Sequence, residues 1–445
     1  MSKRRAAVLG SGYKGLIGAY LLAKKGYDVQ VYDKSKAVGG VMNSIHKDGF
    51  FLDLGCHLFD NIDKRTTEIA IDILDGQIIP LNPKYGSVLK SEFSNLAVPD
   101  LSFLGDQLNN RVISEMSSNK TISEYSSQNV LDSLIHRHGE TAVSYIKDGI
   151  EKVFALQPKK VSPLALQLIP LFNRLRIGSI VMSKELKKDK YFDDRLAIPA
   201  LKDPLEFYKD SVGIQGFRNF YPKGAGLGEF CLKAKAKLEN MGVGFNLGVE
   251  INDLQCNGVI DLTVDGKQVS FDKVLWALPV ESIGEIFKID SKLSDYIHRV
   301  PMILYYFFLD KKDLSDYSYV HNYDKEDVVF RMSIPSNYGE GNAPSGLGYI
   351  CCEIPAKINS DTWNKAEKIK ERVWSEVKKT NLTSAETPID SWMIKTPVSY
   401  KVPKVGYEQA LKLIMEKIPK NNCLIGCGDW EYSKKDITKS LLKLL

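Results

Sequence analysis

Apolar positions at the start of the chain predict a strand, a helix and a second strand in succession. Residues 6–9 form an uninterrupted apolar run, which is typical of a buried strand. A glycine-rich turn and roughly fourteen residues of helical pattern separate this run from a second one at residues 29–32. The second run ends in an acid, Asp33. The pattern therefore predicts one β–α–β unit at the N-terminus.

Three glycines at the first strand-to-helix junction give the spacing G-x-G-x-x-G. Gly10 allows a tight turn, Gly12 lets the backbone approach a pyrophosphate, and Gly15 lets the helix pack closely on the strand. The N–H groups of the following helix N-terminus can bind phosphate. Asp33 stands where a carboxylate accepts hydrogen bonds from the adenosine ribose, and its charge disfavours the 2′-phosphate of NADP. Such a motif alone also occurs in ordinary turns, but its context here predicts a dinucleotide site.

The spacing of apolar residues changes twice along the rest of the chain. Residues 121–187 show apolar recurrence at helical spacing, and residues 299–403 read as antiparallel strands with turns between them. His136 and His138 fall on one predicted helix and are expected at the surface. Because they are two residues apart, they cannot share a helix face as a metal-binding pair would. A strand and a terminal helix from about Lys434 end the chain.

Composition narrows the functional classes. A length of 445 residues suggests two or three domains. The net charge of +5 on 60 basic and 55 acidic residues is too balanced to indicate nucleic-acid binding. We find no signal-peptide pattern and no apolar run long enough to span a bilayer. The seven cysteines lack metal-ligand spacing, so we expect a reduced, cytoplasmic protein without disulfides or a metal site.

Further motifs after Asp33 make a family resemblance specific. Gly39 and Gly40 follow it closely, and Asp53, Gly55 and His57 give D-x-G-x-H. Together with the first motif, this order resembles the N-terminus of glutathione-reductase-type FAD proteins. Within them it is similar to the branch of protoporphyrinogen oxidases, amine oxidases and UDP-galactopyranose mutase. The resemblance implies FAD as cofactor and an α/β fold, with a Rossmann-like FAD-binding domain and an α+β substrate domain that contains an antiparallel sheet and a helical part.

The resemblance also implies a chain that passes between these domains more than once. The FAD-binding domain is expected at residues 1–85, 213–280 and 416–445. The substrate domain is expected at residues 86–212, as its helical part, and at residues 281–415, as its sheet. The resemblance implies that Gly39 and Gly40 form a second backbone turn beside the FAD. The alternative is that they belong to an ordinary loop.

Site residues follow from the same resemblance. The cofactor-binding candidates are Gly10, Gly12, Gly15, Asp33, Lys34, Gly39, Gly40, Val41, His57, Val249 (through its backbone), Gly428 and Asp429. The catalytic candidates are His57, Arg331 and Tyr400, with Tyr305, Tyr306 and Tyr349 as weaker candidates for the substrate cavity. Many relatives carry an arginine where Cys427 stands here.

The two leading catalytic candidates each have a structural alternative. His57 is expected beside the flavin, where an unperturbed pKa near 6.5 suits hydrogen bonding or acid/base chemistry, or else within its loop as a satisfied residue. Arg331 is expected either to bind an anionic substrate group through its paired donors or to pair with an acid across the sheet.

Three functions remain open at this point. The first is an FAD-dependent oxidoreductase that takes a hydride from an amine, an alcohol or a sugar-derived substrate, with cell-surface carbohydrate synthesis as one setting. The second is a nucleotide-sugar mutase that uses reduced FAD, which the G-C-H-L-F sequence at residues 55–59 favours through its likeness to a mutase loop. The third is a non-catalytic FAD-binding subunit. We expect a small-molecule substrate as partner, and a homodimer is an open alternative to a monomer.

Overall fold

A computed structural model describes residues 3–121, 127–198, 213–214, 216–419, 422–430 and 433–445. The strands are β1 Arg5–Leu9, β2 Asp28–Asp33, β3 Ser44–Lys47, β4 Phe50–Asp53, β5 Phe59–Asp60, β6 Ile78–Leu81, β7 Lys84–Leu89, β8 Glu92–Ser94, β9 Asn219–Pro222, β10 Gly244–Leu247, β11 Ile251–Asn257, β12 Val259–Val264, β13 Lys267–Phe271, β14 Lys273–Trp276, β15 Ile297–Asp310, β16 Tyr317–Asn322, β17 Arg331–Ser333, β18 Leu347–Pro355, β19 Asp390–Pro403 and β20 Leu424–Ile425. The α-helices are α1 Tyr13–Lys24, α2 Lys64–Ile73, α3 Gly105–Ser118, α4 Val130–Phe154, α5 Ala165–Leu168, α6 Ile180–Leu186, α7 Lys190–Asp193, α8 Gly228–Asn240, α9 Ser282–Ile286, α10 Asp361–Asn364, α11 Lys370–Lys378, α12 Tyr407–Met415 and α13 Lys434–Leu444.

A five-stranded parallel sheet carries the first glycine turn. Its order is β10-β2-β1-β14-β20, so its strands come from three separated stretches of the chain. Ala6 and Val8 of the central strand pack into one hydrophobic cluster, whereas Ala7 and Leu9 pack into another on the opposite face. Both faces are thus covered, which explains why β1 is an uninterrupted apolar run rather than an alternating one.

Helix α1 lies close against this sheet. A Cβ atom at Gly18 would stand only 1.9 Å from Cδ2 of Leu275 in β14, so the helix can approach this strand because no side chain intervenes. On its other side, the Tyr13 hydroxyl hydrogen-bonds to Thr438 Oγ1 of the last helix at 3.0 Å. The N-terminal and C-terminal ends of the described chain therefore meet at the first turn of α1.

A seven-stranded sheet forms the second layer of the molecule. Its order is β19-β15-β18-β17-β16-β7-β8, and all pairs are antiparallel except the parallel pair β16 and β7. The last two strands at one end of this order, β7 and β8 at residues 84–94, fall largely in a stretch that we predicted to begin the helical part. That local expectation is wrong because these short strands complete a sheet whose other strands lie more than two hundred residues later in the chain.

The helical part packs on this sheet through helices α3 to α7. Helix α4 bends at Gly139, whose φ of +83° interrupts the helical backbone. The prediction that His138 lies at the surface is wrong: it has no exposed area, and its Nε2 hydrogen-bonds to the Phe172 carbonyl at 2.8 Å. His136 is half-buried. Residues 122–126 of the predicted helical stretch lie outside the described residues.

Three smaller sheets, β3-β4, β5-β9-β6 and β11-β12-β13, complete the α/β architecture. The predicted fold class is confirmed, while the exact domain boundaries stay a prediction. Over the ranges given above, no helix combines the length and the apolar character needed to cross a bilayer, and no cluster of three metal-ligating side chains occurs. All seven cysteines are free thiols.

Candidate functional site

The first glycine turn is tight on its inner side and open on its outer side. Gly10 has a φ of +103°, and a Cβ there would lie 2.7 Å from the Ala277 carbonyl oxygen. A Cβ at Gly15 would lie 1.9 Å from the carbonyl oxygen of Gly10. A Cβ at Gly12 would meet no protein atom within 4 Å. The turn therefore leaves room for a bound group in front of the N-terminus of α1.

Asp33, at the end of β2, is tied directly to this turn. Its Oδ2 accepts hydrogen bonds from the Ser11 amide and from Ser11 Oγ, both at 2.7 Å, and its Oδ1 accepts one from the Ser35 amide at 2.8 Å. The Val249 amide donates a hydrogen bond to the Asp33 carbonyl at 3.1 Å. A backbone contact between Val249 and adenine would therefore have to use the Val249 carbonyl. Lys34 is exposed beside this carboxylate.

The second glycine pair joins the first turn through its backbone. The Gly39 amide donates to the Ser11 carbonyl at 2.9 Å. Gly39 has a φ of +106°, and a Cβ there would lie 2.6 Å from Cys231 Sγ. A Cβ at Gly40 would meet nothing within 4 Å, and Val41 is 57% exposed. The predicted second turn is therefore tied to the first through its backbone, and its role in binding a cofactor stays a prediction.

The glycine-acid step near the C-terminus faces the same turn. Lys14, inside the first glycine motif, donates from Nζ to the Gly426 carbonyl at 3.3 Å and lies 4.0 Å from Asp429 Oδ2. Gly428 has a φ of +87°, so this step also needs a glycine. The structure therefore brings Gly428 and Asp429 to the first motif, and sequence reasoning missed Lys14, the residue that links them.

Asp53 anchors the strand that leads to His57. Its carboxylate has no exposed area and accepts hydrogen bonds from Ser44 Oγ at 2.7 Å, the Leu227 amide at 2.9 Å and the Tyr221 hydroxyl. Burial raises the pKa of Asp53, although these three donors oppose that effect. The D-x-G-x-H motif thus begins with a structural residue.

The loop that carries His57 rests on a buried ion pair. Glu353 Oε1 accepts a hydrogen bond from the Cys56 amide at 3.0 Å. Arg331 donates to the same carboxylate from Nε at 2.6 Å and from Nη2 at 2.8 Å, across the β17–β18 pair. The acid across the sheet that we considered as a partner of Arg331 is therefore present, as Glu353. Gly55 packs its Cα directly against the Glu353 carboxylate. Binding of an anionic substrate by Arg331 stays a prediction.

His57 is half-buried and carries no charge near neutral pH. Three effects together lower the pKa of His57 to about 3: burial, which is the largest, then the charges of the nearby Lys434 ammonium and Arg331 guanidinium. A hydrogen bond with the Leu54 backbone opposes them by raising this pKa. The interpretation that its pKa near 6.5 suits acid/base chemistry is therefore wrong. A neutral imidazole can still donate one hydrogen bond and accept another.

Lys434, the first residue of α13, is a site residue that sequence reasoning missed. Its Nζ donates to the Leu58 carbonyl at 3.1 Å and lies 5.0 Å from the centre of the Phe59 ring. Burial lowers the pKa of Lys434. A lysine at a helix N-terminus opposes the helix dipole, and this unusual position was the available sequence signal.

An aromatic wall with a further arginine lies next to Arg331. The rings of Tyr85 and Tyr319 are 4.5 Å apart, and the Arg218 guanidinium stands 4.8 Å from the centre of the Tyr85 ring. The charges of Arg331 and Arg218 both act on the buried Tyr319 hydroxyl, where they oppose the effect of burial on its pKa. These residues come from three distant parts of the chain, so no local sequence pattern indicates that they lie together.

The predicted tyrosines of the substrate cavity occupy other places. Tyr305, Tyr306 and Tyr349 are at most 3% exposed, so they belong to the core and their assignment to the cavity is wrong. Tyr306 and Tyr349 donate to backbone carbonyls of β4 and so hold that strand. The Tyr400 hydroxyl donates to the Val153 carbonyl at the end of α4, which places it against the helical part.

Comparison with known sequences finds the dinucleotide-binding region and short relatives. The NAD(P)-binding Rossmann-like domain family matches residues 8–70. The 4,4'-diaponeurosporene oxygenase of Staphylococcus haemolyticus (strain JCSC1435) is 31% identical over 107 residues, which are 23% of this chain and 20% of that protein. The 4,4'-diapophytoene desaturase of Staphylococcus aureus (strain COL) is 43% identical over 51 residues, which are 12% of this chain and 10% of that protein. The chain thus spans a fifth or less of the length of these relatives.

Solved structures resemble the whole chain. Reduced UDP-galactopyranose mutase superposes with a TM-score of 0.71 at 16% identity, over 100% of this chain and 93% of that one. A protoporphyrinogen oxidase-like protein from Exiguobacterium sp. 255-15 superposes with a TM-score of 0.67 at 14% identity, over 100% of this chain and 98% of that one. Putrescine oxidase bound to putrescine gives 0.64 at 14% identity, over 99% and 98%.

The chain has the fold that these three structures share. The resemblance inferred from the residues is therefore confirmed for the fold. Lys434 contacts the loop of His57, and the helix that it begins reaches the first turn of α1 through Thr438 and Tyr13. The individual roles of these residues stay predictions.

Proposed function

We propose that the chain binds FAD and oxidises a hydroxylated, negatively charged small molecule, such as a sugar-derived acid or phosphate. The open faces at Gly12 and Gly40 fit a dinucleotide, because side chains there would occupy space that the protein leaves empty. The residues that would hold it are Gly10, Gly12, Gly15, Asp33, Lys34, Gly39, Gly40, Val41, His57, Val249, Gly428 and Asp429. When bound, FAD supplies the acceptor for a hydride.

The positive charge around His57 is the observation that carries this choice of substrate. After burial, which is the largest cause, the charges of Lys434 and Arg331 also lower the pKa of His57, and Arg218 adds a third cation near Tyr319. Glu353 balances the charge of Arg331, so Lys434 and Arg218 are the cations that would disfavour a protonated amine, and a purely apolar substrate would leave these groups poorly solvated. An anionic, hydroxylated substrate suits both the charges and the hydrogen-bonding side chains.

The chain's own residues would bind and orient this substrate. Arg331 offers guanidinium donors to an anionic group, and the pair with Glu353 keeps that guanidinium in place. His57 would hydrogen-bond as a neutral imidazole and would not act as the proton donor. Tyr85 and Tyr319 would present aromatic faces to the sugar-like part.

An anaerobic titration of the FAD-loaded protein tests this proposal. Sugar acids and sugar phosphates are added separately, with putrescine as the matched amine, and loss of the visible flavin bands is followed. We expect an anionic sugar derivative to bleach the flavin and putrescine to leave it oxidised. Bleaching by putrescine alone, or by no member of the panel while dithionite still bleaches the flavin, contradicts the proposed substrate class.

A nucleotide-sugar mutase is the second candidate. The loop at residues 55–59 and the full-length likeness to reduced UDP-galactopyranose mutase favour it. A mutase requires reduced flavin but consumes no net electrons. Conversion of UDP-galactopyranose to an isomer of equal mass, only after reduction with dithionite, would therefore support the mutase over the oxidoreductase. Tight FAD without either activity would favour the non-catalytic subunit.

A further inference from the structure

A cavity of about 280 Å³ lies where the end of α4 meets the loop after β16 and the end of β18. This volume is slightly below that of pockets for drug-sized ligands, so the cavity suits a smaller molecule. Lys152 of α4 lines it together with Asp148, Glu151, Lys325 and Lys357, so charges of both signs are mixed around it. None of these residues is a candidate for the FAD or substrate site.

Two backbone carbonyls hold the amine of Lys152, whose side chain is half-buried. Its Nζ donates to the Asn322 carbonyl at 3.1 Å and to the Val329 carbonyl at 3.0 Å. A protonated lysine has three N–H donors, whereas an unprotonated amine has two and a lone pair. The two carbonyls therefore satisfy every donor of the unprotonated amine and leave its lone pair unused.

The buried carboxylates around Lys152 are paired with other cations. Asp327 pairs with Lys379 at 2.5 Å, and Glu376 pairs with Arg372 at 3.2 Å. Within the part of the chain that the structure describes, Lys152 forms no ion pair of its own. No directly bound carboxylate therefore fixes its amine in the protonated form.

The surroundings of Lys152 leave much of its amine unprotonated in mildly alkaline solution. Burial, with a smaller effect of the Arg372 charge, lowers the pKa of Lys152 to about 8. The charges of Glu376, Asp327 and Asp324 oppose this change. About half of the amine is therefore uncharged, and so nucleophilic, at about pH 8.

We infer that Lys152 is a covalent modification site, at which a small hydroxylated aldehyde that enters the cavity forms an imine. The amine lone pair attacks the carbonyl carbon, and a C=N bond replaces the C=O bond. The carbonyl oxygen leaves with the two amine protons as one water molecule, so the step needs no oxidant or reductant. A hydroxylated, uncharged aldehyde suits the mixed charges of the lining.

The same carboxylates stabilise the product. An imine nitrogen that takes up a proton from solvent carries a positive charge, and Glu376, Asp327 and Asp324 favour a positive charge at this position. The protonated imine also keeps one N–H donor for the carbonyls of Asn322 and Val329. The inference does not depend on the proposed oxidoreductase activity.

Reductive trapping with glycolaldehyde tests the inference. The full-length protein, incubated with FAD, is exposed at pH 8 to glycolaldehyde and cyanoborohydride, whose hydride converts an imine into a stable secondary amine. Peptide mass spectrometry then gives the rate of modification at each lysine. Lys147 is the internal reference, because it is an exposed lysine of the same helix.

We expect Lys152 to be modified about ten-fold faster than Lys147, because a larger fraction of its amine is unprotonated. Its rate should level off as the glycolaldehyde concentration rises, since the cavity saturates, whereas the rate at Lys147 should rise in proportion. Circular dichroism checks that the protein stays folded during labelling. Modification of Lys152 no faster than that of Lys147, or only after unfolding in urea, overturns the inference and leaves Lys152 as a structural residue.

Discussion

The Glu353 carboxylate and the Arg331 guanidinium form a two-point ion pair that supports the loop of His57. The two bonds measure 2.6 and 2.8 Å, and the same carboxylate also accepts the Cys56 amide at 3.0 Å. Glu353 is 4% exposed. One buried acid therefore connects the seven-stranded sheet to the loop of His57.

Removing the acid from this pair should destabilise the protein. Glu353→Gln leaves Arg331 largely buried without its countercharge, so we expect the free energy of unfolding to fall by about 3 kcal/mol. Urea denaturation measures it. Glu386→Gln is the control, because Glu386 is exposed and pairs with Lys378 at the surface. Equal costs for the two variants would show that the pair is not a structural support.

Loss of the Asp33 carboxylate should weaken FAD binding. Asp33→Ala removes the predicted ribose contact and the bonds to Ser11, and a hydrogen bond to a charged group contributes about 1.5–3 kcal/mol. We therefore expect the Kd for FAD to rise about ten-fold or more. Ser11→Ala, which keeps the carboxylate and loses one hydroxyl, should have a smaller effect. A Kd unchanged in Asp33→Ala would remove the ribose assignment.

His57 should contribute no ionisation to the pH profile of turnover. Because its pKa is lowered to about 3, it stays neutral over the range from about pH 5 to 8 in which histidine usually titrates. His57→Gln should lower kcat/KM without removing an inflection from that range. The measurement is kcat/KM against pH for both proteins. An inflection present in the wild type and absent from His57→Gln would contradict the assignment.

Two core histidines should make the protein less stable in acid. His138 and His321 have pKa values lowered from 6.5 to about 3, mainly by burial. Between these values the unfolded state binds a proton that the folded state does not, so the free energy of unfolding falls as the pH falls. Each histidine contributes up to about 1.4 kcal/mol per pH unit in that window and nothing above it.

Urea denaturation at several pH values checks this expectation. His138→Gln should show a shallower loss of stability than the wild type below about pH 6.5, since one of the buried histidines that contribute, which include His57, is gone. His46→Gln, at the surface, controls for the loss of an imidazole. Equal slopes for the wild type and His138→Gln would contradict the buried, neutral state of His138.

Local patterns were enough to predict the first β–α–β unit. Strand, turn, helix and acid are consecutive there, and Gly15 packs against Gly10 of the same turn. The surroundings of His57 could not be predicted in the same way. Glu353 and Lys434 lie 297 and 376 residues from the loop residues that they contact, and only packing brings them to the loop.

Burial was the other quantity that the local pattern did not determine. His138 was expected at the surface because its helix was considered alone, yet Phe172 covers it from a neighbouring segment. The tyrosines of β15 and β18 were candidates for a cavity because aromatic residues often line one. In the structure Tyr306 and Tyr349 fill the core between the sheet and β4, whereas Tyr305 packs into the cluster on the other face of the sheet.

The central claim, that this chain binds FAD at the paired glycine turns, is tested most directly by the cofactor content of the purified protein. The visible spectrum is recorded before and after dithionite, and any flavin is released by denaturation and quantified against protein concentration. We predict visible flavin bands that bleach on reduction, with one FAD per chain after incubation with added FAD. A colourless protein that takes up no added FAD would contradict the claim.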